Sequence, residues 1–237
     1  MTLAKLGLPA AILLDLDGTL IDAEPVHAEG IAKVFAEHGL ELREHERAFV
    51  IGHAWQEIHR ELRVEERLGF DVEALKGQVI AAKERMFAAG LTIPINKGAP
   101  ELVRTAVALS IPTVIVSGSS RREIEHALPD LGIGELLEFY MGCEDYARGK
   151  PAPDCFLGAA LRLGVSPAST LVVEDSEAGI AAGLAAGMRV LATSSCNPAK
   201  GAPGHQNQGG AHRRVSSLAG FGAADLRAMM APQGPAR

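Results

Sequence analysis

The chain has 237 residues, of which 47% are hydrophobic, and its formal net charge is −6. This length and hydrophobic content are typical of one large globular domain, or of a core domain with a smaller domain inserted, and exclude a mainly disordered chain. An acidic chain with only 4% aromatic residues lacks the basic stripe and stacking platform that nucleic-acid binding requires. No apolar run is long enough to cross a bilayer, so we expect neither nucleic acid nor a membrane as a partner.

The cysteines favour a reducing compartment. Cys143, Cys155 and Cys196 are odd in number and form no CxxC pair, which is typical of reduced thiols. The apolar run near the N-terminus meets Asp15 without a small-residue cleavage site, so a strand explains it better than a signal peptide. We therefore expect a cytoplasmic protein, while the sequence leaves its oligomeric state open.

Short apolar or β-branched runs alternate with helical stretches through most of the chain. Such alternation predicts an α/β fold with a doubly wound, Rossmann-like parallel sheet and helices on both faces. The main strands are expected at 11–15, 112–117, 138–142, 170–174 and 189–193, and the helices between the later ones at 98–109, 121–129, 154–164 and 177–187. A short strand near 213–217 and a last helix at 223–230 are expected to follow.

Residues 24 to 92 break this alternation, because their apolar residues recur at helical spacing without a convincing strand. We interpret this block as an all-helical cap domain inserted after the first strand. The predicted domains are an α/β catalytic core of residues 1–21 and 96–237, and a helical cap of residues 22–95. Residues 197–210 are rich in Gly, Pro and amides and are predicted to form a mobile loop.

Two aspartates end the first predicted strand. Asp15 and Asp17 are two residues apart, so in an extended chain their side chains point to the same face. Carboxylates this close repel one another, and burial makes each harder to ionise. Other polar groups follow later strands or open a later helix, namely Ser117, Lys150, Glu174 and Asp175. Ligands of doubly wound sheets bind beyond the carboxyl ends of the strands, so we expect these groups to share one crevice.

The chemistry of this expected crevice favours Mg²⁺, because four or five carboxylate oxygens with few basic partners form a hard-oxygen site. The cation would neutralise the aspartate pair. Gly18 and Gly118 follow chemical residues at strand ends, where they would let main-chain N–H groups turn toward a phosphate. Thr19 would fix the first of these loops through its hydroxyl. We count all three as candidate phosphate-binding residues.

Four segments in this order resemble the haloacid dehalogenase superfamily over residues 10 to 195: DLDGTL at 15–20, VIVSG at 114–118, GKPAPD at 149–154 and VVEDSEAG at 172–179. The helical insert resembles the small α-helical cap of that superfamily. The resemblance implies that Asp15 attacks phosphorus to form an aspartyl-phosphate and that Asp17 serves as general acid and then base. It implies a phosphoryl contact for Ser117 and charge compensation by Lys150. The implied Mg²⁺ ligands are Asp15, the main-chain carbonyl of Asp17, Asp175 and, as a ligand or its support, Glu174.

Two cap residues bear on the substrate. His27 stands where related sugar-phosphate enzymes also carry a histidine, and it either contacts the substrate or is a surface histidine. Trp55 lies three residues after Gly52, where related mutases tend to carry an arginine that grips a distal phosphate. An indole cannot pair bidentately with phosphate as a guanidinium does. We interpret Trp55 as a residue of the cap core.

Three functions compete. The favoured one is a Mg²⁺-dependent phosphatase acting on a small phosphorylated metabolite such as a sugar phosphate. The second is a phosphomutase of the β-phosphoglucomutase type, although such mutases commonly have valine where this chain has Thr19. The third is a receiver-like signalling module, which fits less well because such modules are shorter and lack a helical insert.

Overall fold

A computed structural model gives the fold, and the structure describes residues 7–53 and 55–231. Within these residues six strands form one sheet in the order β3-β2-β1-β4-β5-β6. All five neighbouring pairs run parallel, which confirms the predicted doubly wound sheet. The strands are β1 (Ala11–Leu14), β2 (Thr113–Val116), β3 (Phe139–Met141), β4 (Thr170–Glu174), β5 (Arg189–Thr193) and β6 (Arg213–Val215).

The centre of the sheet decides where the polar strand ends meet. Every residue of β1, β2 and β4 is buried, as expected for parallel strands covered on both faces, which read as continuous apolar runs. Leu14 of β1 is in register with Ile115 of β2 and with Val173 of β4. The residues that follow these three positions therefore emerge together at the carboxyl edge. The strand order also reverses between β1 and β4, which makes this edge the expected place for a ligand.

Most of the chain between β1 and β2, namely Ala23–Pro94, forms a helical unit. Its described residues contain no strand, as the periodicity predicts. Phe35, Ile58 and Leu75 are fully buried in a hydrophobic cluster that this unit forms by itself. The helices are α1 (Glu24–Glu37), α2 (Glu44–Val50), α3 (Trp55–Glu61), α4 (Val64–Leu68) and α5 (Val72–Ala88).

Five further helices accompany the sheet, at or near their predicted positions. They are α6 (Ala99–Ala108), α7 (Arg121–Leu131), α8 (Asp154–Leu163), α9 (Glu177–Ala185) and α10 (Ala223–Met230). Phe156 of α8 and Ile180 of α9 pack with strand residues such as Val172 and Val190 in one hydrophobic cluster. In the described part of the chain, no helix has both the length and the apolar character needed to cross a membrane.

Contacts divide the chain into two compact units, one of which contains the sheet. The other consists of Ala23–Pro94 together with Pro198–His205, a segment that the sequence-based boundaries place with the core. The main chains of Gly52 and Gly204 approach so closely that a Cβ on Gly52 would lie 2.8 Å from the Gly204 Cα. This contact explains why the segment groups with the helices.

The segment Pro198–His205 has a closed base. Asn197 Nδ2 donates to the Gln206 carbonyl at 2.9 Å, and the Gln206 N–H donates back to Asn197 Oδ1 at 2.8 Å. The chain thus leaves and re-enters the sheet-containing unit through one hydrogen-bonded pair of residues.

His212 precedes β6 and is hydrogen-bonded to Val190 of β5. The Val190 N–H donates to His212 Nδ1 at 3.1 Å, which requires a neutral ring. Burial lowers the pKa of His212, and the nearby Arg189 lowers it further. Because the unfolded chain then binds the proton more readily, we expect the free energy of unfolding to fall as pH drops below about 6.5.

Denaturant unfolding between pH 7.5 and 5.5 measures this contribution. His212→Asn keeps an acceptor oxygen but cannot titrate, so it should lose less stability over this interval than the wild type does. His45→Asn, at an exposed position of α2, should keep the wild-type pH dependence. Equal slopes for His212→Asn and the wild type would contradict the assignment.

Candidate active site

Lys150 is the centre of the polar cluster at the carboxyl edge of the sheet. Its Nζ lies 2.5 Å from Asp15 Oδ1 and 2.7 Å from Glu174 Oε1, and it also donates to the Val116 carbonyl at 3.2 Å. Asp15 follows β1, Val116 ends β2 and Glu174 ends β4. One ammonium group therefore connects the ends of three neighbouring strands.

The protonation of these groups follows from burial and pairing. Burial lowers the pKa of Lys150, but the Asp15 and Glu174 carboxylates outweigh it and raise that pKa well above its ordinary value. The amine thus stays protonated. Burial raises the pKa of Asp15 well above its usual range, Lys150 opposes this rise, and the Glu174 and Asp175 charges add to it. Oδ1 of Asp15 is held by Lys150, whereas Oδ2 has no hydrogen-bond partner among the described residues.

Glu174 is fixed by the start of α9. Its Oε2 accepts hydrogen bonds of 2.9 Å from the Asp175 N–H, the Ser176 N–H and the Ser176 hydroxyl. A side chain on Gly179 would collide with this carboxylate, which explains the glycine in the first turns of α9. Since Oε2 is already occupied three times, Glu174 can offer a metal only Oε1, which it shares with Lys150.

The loop after β1 lies against Asp175. Thr19 is fully buried, and its hydroxyl donates to Asp175 Oδ1 at 3.3 Å. Gly18 has a φ of +78°, and a Cβ at this position would collide with the Asp175 carboxylate. The Gly18 N–H donates to the Ile21 carbonyl at 2.7 Å. Thr19 and Gly18 therefore shape the surroundings of Asp175 in this structure.

The loop after β2 reaches Asp17. The Ser119 hydroxyl donates to Asp17 Oδ2 at 2.5 Å, and the Ser119 N–H donates to Ser117 Oγ at 3.0 Å. The Tyr146 hydroxyl donates to the Ser117 carbonyl at 2.8 Å and anchors the turn. Gly118 is exposed, a Cβ there would meet no atom within 4 Å, and its N–H has no acceptor among the described residues.

The donor set fits a divalent cation. Asp15, Glu174 and Asp175 each place one carboxylate oxygen so that all three lie within 4.8 Å of one another. Burial and the Glu174 charge raise the pKa of Asp175 to about 7, so the single Lys150 ammonium does not compensate the cluster. Three hard oxygen donors with excess negative charge match the preference of Mg²⁺. The part predicted for the Asp17 main-chain carbonyl stays a prediction.

His27 and Trp55, which the sequence analysis named, lie in the helical unit, as does His53. His27 and Trp55 pack edge to face, with ring centroids 4.7 Å apart. Trp55 is half-buried and packs against the hydrophobic cluster of the helices. His53 stacks on Phe49 at 3.8 Å, and its buried Nδ1 has no hydrogen-bond partner among the described residues. The substrate contact predicted for His27 stays a prediction.

Sequence reasoning missed four residues that support the site, namely Ser119, Tyr146, Asn96 and Gln208. Gln208 Nε2 donates to the carbonyls of Asp175 and Thr193, both at 2.7 Å. Asn96 makes a similar set of bonds to the loop after β1. Only Ser119 had a local signal, because it belongs to the Ser-Gly-Ser-Ser run after β2.

Comparison with known proteins places this arrangement. The family model for haloacid dehalogenase-like hydrolases matches residues 9–187. The chain belongs to this family. The resemblance seen in the motifs is confirmed.

Individual relatives share most of this chain. The bifunctional riboflavin kinase/FMN phosphatase of Arabidopsis thaliana is 32% identical to this protein over 79% of the chain. The alignment covers only 49% of the length of that relative. The validoxylamine A 7′-phosphate phosphatase of Streptomyces hygroscopicus subsp. limoneus is 33% identical, covering 74% of this chain and 81% of the relative. Among solved structures, CbbY from Rhodobacter sphaeroides in complex with phosphate superposes with a TM-score of 0.72 at 25% identity, covering 92% and 99% of the two chains.

The glycine next to Asp17 provides a test of the geometry. Gly18→Ala should lower activity and Mg²⁺ affinity strongly, because the new methyl group meets Asp175 and the positive φ is strained. Gly118→Ala should have a much smaller effect, since its added methyl meets nothing. Turnover and Mg²⁺ titrations of both variants give the comparison. Equal effects of the two substitutions would show that the contact with Asp175 is not the reason that residue 18 must be glycine.

The metal assignment can be tested without turnover. Mg²⁺ should raise the melting temperature of the wild type in a concentration-dependent way, because it binds only the folded carboxylate cluster. Asp175→Asn replaces a charged carboxylate with a neutral amide oxygen and should abolish most of this rise. Glu135→Gln, at an exposed position, should keep it. A melting temperature that does not respond to Mg²⁺ in the wild type would refute the site.

Proposed function

We propose that this protein is a Mg²⁺-dependent phosphomonoesterase that acts on a small phosphorylated metabolite through an aspartyl-phosphate on Asp15. The observation that carries the proposal is the buried Lys150 ammonium, held 2.5 Å from Asp15 and 2.7 Å from Glu174 beside Asp175. Two relatives are named phosphatases of phosphorylated small molecules, which supports a phosphate monoester as the substrate.

Asp15 is suited to attack phosphorus. Lys150 holds Oδ1, while Oδ2 has no partner among the described residues and is therefore the candidate nucleophile. As Oδ2 forms a bond to phosphorus, the bond from phosphorus to the ester oxygen breaks. The protonated Lys150 offsets charge on the carboxylate and on the phosphoryl group, which would otherwise repel one another.

Asp17 is suited to move the proton. It would give a proton to the departing alcohol oxygen and later take one from the water that attacks the aspartyl-phosphate. That second step frees phosphate and restores the Asp15 carboxylate. The Ser119 hydroxyl holds Asp17 Oδ2 at 2.5 Å and so sets the orientation of the carboxyl group. Ser117 and the Gly118 N–H are the groups proposed to donate hydrogen bonds to the phosphoryl oxygens.

Mg²⁺ would be held by Asp15, Asp175 and Oε1 of Glu174, and when bound it would neutralise negative charge on the carboxylates and the phosphoryl group. The hydrogen bond from Thr19 and the close approach of Gly18 to the Asp175 carboxylate support this role. Glu174 would also have a second role, because its Oε1 accepts a hydrogen bond from the Lys150 amine and orients it.

The size of the barrier requires several contributions. Phosphate-monoester hydrolysis calls for accelerations on the order of 10²¹, which corresponds to roughly 28 kcal/mol. One lysine cannot supply this amount. A covalent step, a proton donor, a fixed ammonium and a cation site acting on the same phosphoryl group supply it together.

The substrate class is tested by phosphate release from sugar phosphates, nucleotides and small phospho-acids, with Mg²⁺ and with a chelator. Asp15→Asn should lose turnover by several orders of magnitude and keep its fold, because an amide is a poor nucleophile. Glu135→Gln makes the same chemical change at an exposed site and should remain active. An active Asp15→Asn would refute the nucleophile.

The covalent intermediate has its own readout. Borohydride quenching during turnover should convert residue 15 to homoserine, which mass spectrometry detects in the peptide that contains it. A parallel assay of glucose 1-phosphate isomerisation with a bisphosphate activator tests the phosphomutase alternative. Isomerisation faster than phosphate release would favour the mutase, whereas Trp55 in place of a phosphate-binding arginine supports the phosphatase.

A further inference from the structure

Asn96 binds four consecutive carbonyl groups of the loop that follows Asp17. Its Nδ2 lies 2.9 Å from the Gly18 oxygen, 3.2 Å from that of Thr19 and 3.4 Å from that of Ile21. Its main-chain N–H donates to the Leu20 carbonyl at 2.9 Å. An amide carries two hydrogens, so the longest of the three side-chain bonds is shared. One residue thus donates hydrogen bonds to the carbonyl groups of all four residues from 18 to 21.

Two of these carbonyls have no other donor within the described part of the chain. Asn96 is the only donor found there to the carbonyls of Gly18 and Thr19. On the inner side of the loop, the Leu16 carbonyl accepts from the N–H groups of Thr19, Leu20 and Ile21. The Leu16 carbonyl and Asn96 therefore supply most of the hydrogen bonds of this loop, beside the bond from the Gly18 N–H to the Ile21 carbonyl and that from the Thr19 hydroxyl to Asp175.

Asn96 is itself held in place. It is only 7% exposed, and its Oδ1 accepts from Cys196 Sγ at 3.1 Å. The neighbouring Ile95 forms an antiparallel bridge with Ile21, and the Asn96 carbonyl accepts from Ala99 at the start of α6. Because carbonyls only accept hydrogen bonds, the amide can serve them in this orientation alone.

The loop carries two contacts on which the proposed cation site depends. Gly18 lies directly against the Asp175 carboxylate, and Thr19 donates its hydroxyl to the same group. A shift of the loop moves both contacts and the adjacent Asp17. We infer that Asn96 is a positioning residue, which sets the distance between the Asp17 loop and Asp175 without touching the substrate. This inference rests on the proposed function for its effect on turnover but not for its effect on the loop.

Three variants test the inference. Asn96→Asp is of the same size but cannot donate from an ionised carboxylate to the three carbonyls that the amide binds, and Asn96→Ala removes the side chain without adding charge. Thr113→Val is the matched control, since it deletes a buried hydroxyl that donates to the Ile111 carbonyl at 3.2 Å, away from the loop. Agreement between the two Asn96 variants separates lost donors from added charge.

We expect both Asn96 variants to bind Mg²⁺ more weakly, as measured by thermal shift. We also expect kcat to fall by about 10- to 100-fold, because the loss of groups that orient metal ligands has effects of this size. The Michaelis constant for substrate should change less. Thr113→Val should lower the melting temperature while leaving Mg²⁺ affinity and kcat within about twofold. Asn96 variants that behave like Thr113→Val would overturn the inference.

Hydrogen exchange gives a readout that needs neither turnover nor metal. The N–H groups of residues 18–21 should exchange faster in both Asn96 variants, whereas those of β1 should keep their protection. Unchanged exchange in this loop would also overturn the inference. If Asn96→Asp fails to fold, Asn96→Ser, which shortens the reach to the carbonyls, takes its place. A different result is that the melting temperature of the wild type fails to respond to Mg²⁺ while the Asn96 variants still show faster exchange in the loop. That result would refute the proposed function and leave the role of Asn96 standing.

Discussion

The Lys150 ammonium lies between two buried carboxylates, those of Asp15 and Glu174, and also reaches the main chain at the end of β2. Burying three charges is costly, and it is tolerated only where each charge has close partners. Removing the ammonium would leave two carboxylates together in a poorly solvated place. The turn before α8, which contains Lys150, is therefore tied to the ends of three strands. This explains why a strand of fully buried apolar residues can end on an aspartate.

The acidic loops are shaped as much by glycine as by carboxylates. Gly18 admits Asp175 and Gly179 admits Glu174, and in both places a side chain would occupy the space of the acid. Two buried amides complement this arrangement, with Asn96 bound to the Asp17 loop and Gln208 bound to the Asp175 carbonyl. The carboxylates thus sit on main chain that is fixed from several directions, which favours a rigid geometry before any ligand arrives.

Much of this site follows from the sequence, because strand ends obey a general rule. Asp15, Glu174 and Asp175 each follow an apolar run, and parallel topology brings such ends to one edge. The roles of Asn96 and Gln208 do not follow, because their acceptors are main-chain carbonyls. Asn96 is 75 to 78 residues from the oxygens that its side chain binds, and no periodicity encodes such pairs. Thr19 was expected to fix its own loop, yet its hydroxyl bonds Asp175 across 156 residues. The composition of residues 197–210 indicated a loop. It did not indicate that Gln208, within that loop, is buried.

The segment Pro198–His205 belongs to the same compact unit as the helices, although it is distant from them in the sequence. It leaves the sheet-containing unit through the Asn197–Gln206 pair and packs at Gly204 on Gly52 of the helical unit. The polypeptide therefore passes between the two units four times, although the helices occupy a single stretch of sequence. A chimaera that exchanged only residues 23–94 with a relative would separate two glycines whose main chains lie in close contact. A replacement of the helical unit as a whole would therefore have to exchange two segments of the chain.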